Sequence, residues 1–227
     1  MKLTVIVTVF NEKDTIIKAI EEVRNIKLEK EIIVIDNCST DGTREILRSL
    51  NDDSIKIVYQ SMNYGYGMSI ITGMNLAIGE YLFVHNSDLE YDSECVYEML
   101  GLAQKDALDA VFGSRLAHRK GESMLSIFKS RPFYLGTLIT TYLTNIFYKK
   151  NFTDIIGNRL YRVASLKKLE PTSKGISFDF EVVSRLCKNK LKVEEIPVCY
   201  SPRTKGKKVK IYDIIPAILT MIKIRFS

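Results

Sequence analysis

The feature that most constrains this chain is an alternation repeated through its first 110 residues: a short apolar run, a polar turn, then apolar residues at helical spacing. Leu3 to Val9 is continuously apolar apart from Thr4 and Thr8, and Asn11-Glu12-Lys13-Asp14 then leads into Ile16, Ile17, Ile20 and Val23. Ile32 to Ile35 repeats the strand signal, Ser39-Thr40-Asp41-Gly42-Thr43 supplies a turn and helix cap, and Ile46, Leu47 and Leu50 form an apolar stripe. The pattern further predicts strands at Ile55 to Tyr59, Tyr81 to Val84 and from Val111-Phe112, with helices over Met68 to Ala77 and Cys95 to Ala103. Strands alternating with helices imply an α/β fold with a mostly parallel central sheet flanked by helices. Such sheets bind ligands beyond the carboxyl ends of their strands, where helix N-termini favour anions.

Charge divides the chain at the same point. Residues 1–110 carry 10 Lys and Arg against 19 Asp and Glu, a net −9, whereas residues 111–227 carry 23 against 8, a net +15. The basic half suits phosphates or anionic headgroups; it contains no recognisable nucleic-acid reading motif, so no nucleic-acid partner is expected. One domain spanning 1–227 is expected, with a ligand-binding half at 1–110 and an acceptor half at 111–227.

The second half also holds two amphipathic stretches, near 133–148 and 211–226. In the first, Leu135, Leu138, Ile139, Tyr142, Leu143, Ile146 and Phe147 recur at helical spacing, while Thr137, Thr140, Thr141, Thr144 and Asn145 fill the other face. A one-sided helix about 24 Å long suits a membrane interface, and packing against the sheet or against an oligomeric or membrane-protein partner is the alternative. No stretch reaches the roughly 20 apolar residues that span a bilayer. Residues 1–10 are too short and wrongly flanked for a signal peptide. Cys38, Cys95, Cys187 and Cys199 are spaced for neither zinc nor a disulfide framework. A cytoplasmic protein lying peripherally on the cytoplasmic face of the membrane is the expectation.

Three post-strand loops carry the candidate chemistry: Phe10-Asn11-Glu12, Asp36-Asn37 and Asn86-Ser87-Asp88-Leu89-Glu90. Together they offer an aromatic face for a base, carboxylates for ribose hydroxyls and oxygen ligands for a hard cation beside a diphosphate. Asn63-Tyr64-Gly65-Tyr66-Gly67 lacks the third glycine of a dinucleotide fingerprint and reads as a turn.

In order along the chain, these segments resemble the family 2 glycosyltransferases of the GT-A fold, in particular the dolichol-phosphate mannosyltransferase-like and polyprenyl-phosphate glycosyltransferase branch. Thr4 to Glu12 is similar to that family's opening strand, Ile32 to Thr43 to its paired-aspartate segment, Asn63 to Gly79 to its glycine-containing helix, and Asn86 to Asp92 to its metal loop. Gly113-Ser114-Arg115, Ser130-Arg131, Thr153-Asp154 before Gly157, Phe178-Asp179-Phe180-Glu181 and Tyr200-Ser201-Pro202-Arg203 extend the likeness.

The resemblance implies an inverting transfer from a GDP- or UDP-linked sugar to a lipid phosphate, the partners being a nucleotide-sugar donor, a polyprenyl or dolichyl phosphate acceptor and an anionic membrane surface. It places Thr8, Phe10, Asn11, Glu12, Asp36, Asn37, Gly67, Asn86, Ser87 and Asp88 at the donor. Mg²⁺ or Mn²⁺ would be held by Asn86, Asp88 and Glu90, and the acceptor phosphate by Arg115, Arg131 and Arg203. Asp88, Asp154 and Arg115 are the implied catalytic residues, with Asp154 or Asp179 the base if the acceptor is a sugar hydroxyl. The chain departs from the family at Asn86 and Asn37, where aspartates are usual, at Cys38 for a glycine and at Thr8 for a proline. The amide at Asn86 keeps an oxygen but removes a charge, which leaves open a non-catalytic nucleotide-sugar-binding homologue.

Overall fold

The computed structural model describes residues 2–119, 126–127, 134–203 and 214–227. Seven strands form one sheet in the order β3-β2-β1-β4-β6-β5-β7. They are β1 (Leu3–Val9), β2 (Lys30–Asp36), β3 (Ile55–Tyr59), β4 (Tyr81–Asn86), β5 (Ala110–Ser114), β6 (Arg159–Arg162) and β7 (Val193–Pro197). The pairings β1–β2, β1–β4, β2–β3 and β5–β7 are parallel. Only β6, wedged between β4 and β5, runs antiparallel to its neighbours.

Every residue of β1 is buried, as expected of a parallel strand covered on both faces. Alternation splits its side chains between two cores. Ile6 joins Ile33, Ile35, Leu82 and Val84 on one face of the sheet, while Val5 and Val7 join Val34, Phe83 and Val111 on the other. The first face is covered by α3 (Tyr66–Leu76) and α7 (Ser177–Lys188), the second by α1 (Ile16–Asn25) and α4 (Cys95–Lys105). The short helices α2 (Thr43–Ser49) and α6 (Val163–Lys168) complete the layers.

Strand order reverses between β1 and β4, which lie side by side although two strands separate them in sequence. Register places Val9 opposite Asp36 and Thr8 opposite Asn86. The three acidic loops therefore leave the sheet together, at its topological switch point.

Two further helices, α5 (Leu135–Tyr148) and α8 (Ile214–Phe226), pack on α7 and on each other. In α5 it is the threonine face that is buried: Thr137, Thr140, Thr141 and Thr144 point inward, while Tyr142 and Ile146 are 53% and 54% exposed. The hydroxyls of Thr140 and Thr144 donate to the carbonyls of Gly136 and Thr140 at 2.9 Å. Those two hydroxyls are thus satisfied within the helix, whereas the buried hydroxyl of Thr141 has no hydrogen-bond partner. No described helix is long and apolar enough to cross a membrane.

Candidate active site

The loop after β1 is stitched to the loop after β2. The Asn11 amide donates to Ser39 Oγ at 2.9 Å, the Thr40 amide to Asn11 Oδ1 at 2.8 Å and the Glu12 amide to Thr43 Oγ1 at 2.9 Å. Asp36, wholly buried, organises this turn: it accepts from the Ser39 amide at 3.1 Å and from Arg44 Nε at 2.6 Å. Asn37 accepts from the Tyr64 amide at 2.9 Å and donates to Asn63 Oδ1 at 2.8 Å, tying in the turn before α3. Cys38 adopts φ 64°, left-handed backbone in which glycine carries no steric cost.

The loop after β4 is fixed at its root. Thr8 Oγ1 donates to Asn86 Oδ1 at 2.9 Å, and Ser87 Oγ donates to the Thr8 carbonyl at 2.8 Å. Asp88 follows, its carboxylate accepting the Glu90 amide at 3.2 Å. Burial pushes the Asp88 carboxyl above its ordinary value, and the charges of Glu90 and Glu12 add to the shift, while the Glu90 amide and Arg203 oppose it. Glu12, Asp88 and Glu90 thus form one acidic group at the switch point.

Arg203 closes over it. Its Nη1 donates to both carboxylate oxygens of Glu12, at 2.9 and 3.0 Å, and its backbone amide donates to Glu90 at 3.1 Å. Tyr200 donates to the other Glu90 oxygen at 2.8 Å and packs its ring 4.9 Å from Tyr91. Arg203, expected at the acceptor phosphate, is therefore placed on the carboxylates of Glu12 and Glu90.

Tyr200 also leads to a second polar group. Arg115 lies 5.2 Å from the Tyr200 ring and 4.9 Å from the Tyr134 ring. Its Nε meets Asp154 Oδ2 at 2.5 Å, and its Nη2 donates to Asp154 Oδ1 and to Thr137, both at 3.0 Å. Burial alone would raise the Asp154 carboxyl, but the charge and hydrogen bonds of Arg115, with two backbone amides, hold it below its usual value. Asp154 is the anchor of Arg115, and a carboxylate so stabilised is a poor base. Asp179, the other candidate base, is buried against Arg159 with their charged atoms 2.9 Å apart.

Gly67 has a packing reason to be glycine: an added Cβ would come within 2.3 Å of the Ser173 carbonyl and 2.6 Å of Phe178 Cβ. Arg131 lies outside the described residues. Tyr66, Tyr134, Tyr200 and Arg159 were missed by sequence reasoning; Tyr66 and Tyr200 lie inside quoted motifs, but nothing local marks a tyrosine that will meet a distant arginine.

Asp88 and Glu90 fit a hard divalent cation, which commonly takes one or two protein carboxylates and draws other ligands from substrate phosphates. Asn86 offers a neutral amide oxygen in place of a carboxylate and so attracts a cation less; that oxygen accepts from Thr8, as the Glu90 oxygens accept from Tyr200 and the Arg203 amide. Among the described residues no three His, Cys, Asp or Glu side chains form a metal cluster by themselves. A cavity of about 460 Å³ lies against the 89–94 loop, and the described residues that line it include Glu22, Glu90, Asp92 and Glu94 but no Lys or Arg.

Residues 4–170 match glycosyl transferase family 2. The low-salt glycan biosynthesis hexosyltransferase Agl6 of Haloferax volcanii is 26% identical over 206 residues, covering 88% of this chain and 48% of that protein. The undecaprenyl-phosphate mannosyltransferase of Micrococcus luteus is 24% identical over 218 residues, covering 91% of this chain and 86% of that protein. The chain thus spans about half the length of the first relative and most of the second. Among solved structures, the mannosyltransferase PcManGT of Pyrobaculum calidifontis, in complex with GDP-Man and Mn²⁺, superposes with a TM-score of 0.66 at 15% identity, covering 90% of this chain and 58% of that one. That likeness gives the fold, a GT-A architecture.

Proposed function

The chain belongs to glycosyl transferase family 2, and on that premise we propose that it moves a hexose from a GDP- or UDP-linked donor to a polyprenyl phosphate at a membrane surface. The observation that carries this reading is the convergence of Glu12, Asp88 and Glu90 on Arg203 at the β1/β4 switch point.

In this reading the loops after β1 and β2 seat the nucleoside, with Phe10, Asn11, Glu12 and Asp36 around base and ribose. Asp88 and Glu90 would hold Mg²⁺ or Mn²⁺, which when bound offsets the negative charge developing on the departing diphosphate. Arg203 leaves Glu12 as the donor enters and, with Arg131, grips the acceptor phosphate in the fork geometry that suits phosphate oxygens. Arg115 stays fixed by Asp154 and adds a buried positive charge behind Tyr200. An oxygen of the acceptor phosphate attacks the anomeric carbon. The bond from that carbon to the donor diphosphate breaks with its electron pair leaving on the diphosphate, and configuration inverts. The nucleophile is already an anion, so no proton need be removed, consistent with an Asp154 committed to Arg115.

The membrane surface is supplied by α5 and α8. Tyr142, Ile146, Ile215, Leu219 and Phe226 are each more than half exposed, and Lys149, Lys223 and Arg225 are exposed on the same two helices or at their ends. Apolar residues beside basic ones suit an anionic lipid interface.

The test is transfer itself. Purified protein with Mn²⁺, a panel of GDP- and UDP-sugars and undecaprenyl or dolichyl phosphate is expected to release nucleoside diphosphate and carry labelled sugar into the organic phase. Release only with a saccharide acceptor would reassign the acceptor; release with none would overturn the proposal.

A further inference from the structure

Asn37, the first residue beyond β2, is bonded to the neighbours on both sides of that strand. Its backbone amide donates to the Val9 carbonyl, at the end of β1, at 2.9 Å. Its side chain reaches the opposite way, to the turn that follows β3: Oδ1 accepts from the Tyr64 amide at 2.9 Å and Nδ2 donates to Asn63 Oδ1 at 2.8 Å. Asn63 Oδ1 also accepts from the Gly65 amide at 2.9 Å. At the near end of the same turn, Cys38 Sγ lies 3.7 Å from the Ser61 carbonyl and the Gln60 amide donates to the Asp36 carbonyl at 2.9 Å. The 61–65 turn thus hangs from the end of β2, with the Asn37 side chain gripping its far end.

Backbone donors fix which way both amides point. The Tyr64 N–H can only donate, so the Asn37 atom that meets it is the oxygen, and the nitrogen faces Asn63. The Gly65 N–H likewise requires the oxygen of Asn63. A carboxylate at position 37 would keep the bond to Tyr64 but turn its second oxygen on the Asn63 oxygen. Flipping Asn63 would remove that repulsion only by setting its NH₂ against the Gly65 N–H. Gly65 is itself confined, with φ +93° and the Lys174 carbonyl 2.5 Å from where a Cβ would stand. The amide at position 37, where an aspartate is usual, therefore matches the turn it holds. With 4% of Asn37 exposed, little of it is left to touch a ligand.

We propose that Asn37 is a positioning residue of the donor site: bonded to β1 on one side and to the 61–65 turn on the other, it sets the width of the cleft that takes the nucleoside. The inference rests on the donor-site reading above and goes beyond it in giving Asn37 a bracing role in place of a donor contact.

Asn37→Asp removes the N–H with almost no change of volume. Asn63→Ser supplies a hydroxyl, which can accept from the Gly65 amide and donate to a carboxylate at the same time. Calorimetric titration of wild type, both single variants and the double variant with UDP and with GDP, each in Mn²⁺ and in EDTA, completes the cycle. Nucleotide affinity is expected to fall about tenfold in Asn37→Asp, the scale of one buried polar group left unpaired. The fall is expected in Mn²⁺ and in EDTA alike, since Asp88 and Glu90 are untouched, and adding Asn63→Ser is expected to restore most of it. A site that is merely damaged is not repaired by a second substitution, so a loss that Asn63→Ser leaves in place overturns the inference. An unchanged affinity in Asn37→Asp, or a loss confined to Mn²⁺, overturns it too. Should Asn37→Asp not fold, Asn63→Ala takes away the shared acceptor from the exposed side of the turn; the same tenfold loss is then expected, and an unchanged affinity counts against the inference. A wild type that binds neither nucleotide sinks the donor site itself.

Discussion

Asp154 and Asp179 are both buried beside an arginine, yet their carboxyls shift in opposite directions. Asp154 is held below its ordinary value by Arg115, so its contribution to stability is present above the unfolded pKa and is lost only as pH falls through the lower folded one. Burial raises Asp179 to about 6, and Arg159 beside it limits the rise; its contribution is full below the unfolded pKa and is lost as pH rises through the folded value. Urea unfolding of wild type, Asp154→Asn and Asp179→Asn between pH 4.5 and 7.5 is therefore expected to show a constant difference for the first variant. The second gains on wild type as pH rises through about 6. Arg115→Met strands the Asp154 carboxylate and is expected to lower unfolding free energy by about 3–5 kcal/mol, read from the urea midpoint. The carboxylates of the loops after β1, β2 and β4 were legible in the sequence because each follows a strand. Their partners were not: Arg203 lies 191 positions from Glu12 and Arg115 lies 39 from Asp154, and charge type alone does not say which charges the fold will pair.

The elements were legible in proportion to the regularity of their apolar pattern. Strands β1 and β3 run over the residues their apolar runs mark, Leu3–Val9 and Ile55–Tyr59. Strand β6, Arg159–Arg162, is four residues with an arginine at each end and shows no period; only its place between β4 and β5 makes it a strand. Helix α5 was recognised as one-sided, but the side it buries depends on threonines whose hydroxyls bond back to their own helix, which an apolar count does not see. Leaving Ile146 and Leu219 outward has a measurable consequence. Ile146→Glu with Leu219→Glu is expected to leave the thermal midpoint within about 2 °C, as surface substitutions do, while abolishing co-flotation with vesicles containing phosphatidylglycerol. Retained flotation would remove these two helices from the membrane account.

At the scale of the whole molecule, the acidic first half and basic second half do not form separate sheets. Strands from both halves share one sheet, and the tail segment Tyr200–Arg203 returns to lie on Glu90 and Glu12. The alternation of strands and helices was enough to foresee a mostly parallel sheet with polar loops at its carboxyl edge; the position of the strand-order reversal, which decides which of those loops share the proposed ligand crevice, emerges only from the pairing of β1 with β4. The account depends on that crevice holding a nucleoside diphosphate and its cation. Crystals soaked with UDP or GDP and Mn²⁺, measured at the manganese absorption edge, test this most directly. An anomalous peak beside the Asp88 carboxylate, with the base against the loops after β1 and β2 and Arg203 withdrawn from Glu12, is the expected result. A manganese peak on any other surface, or nucleotide bound away from β1 and β4, would contradict it.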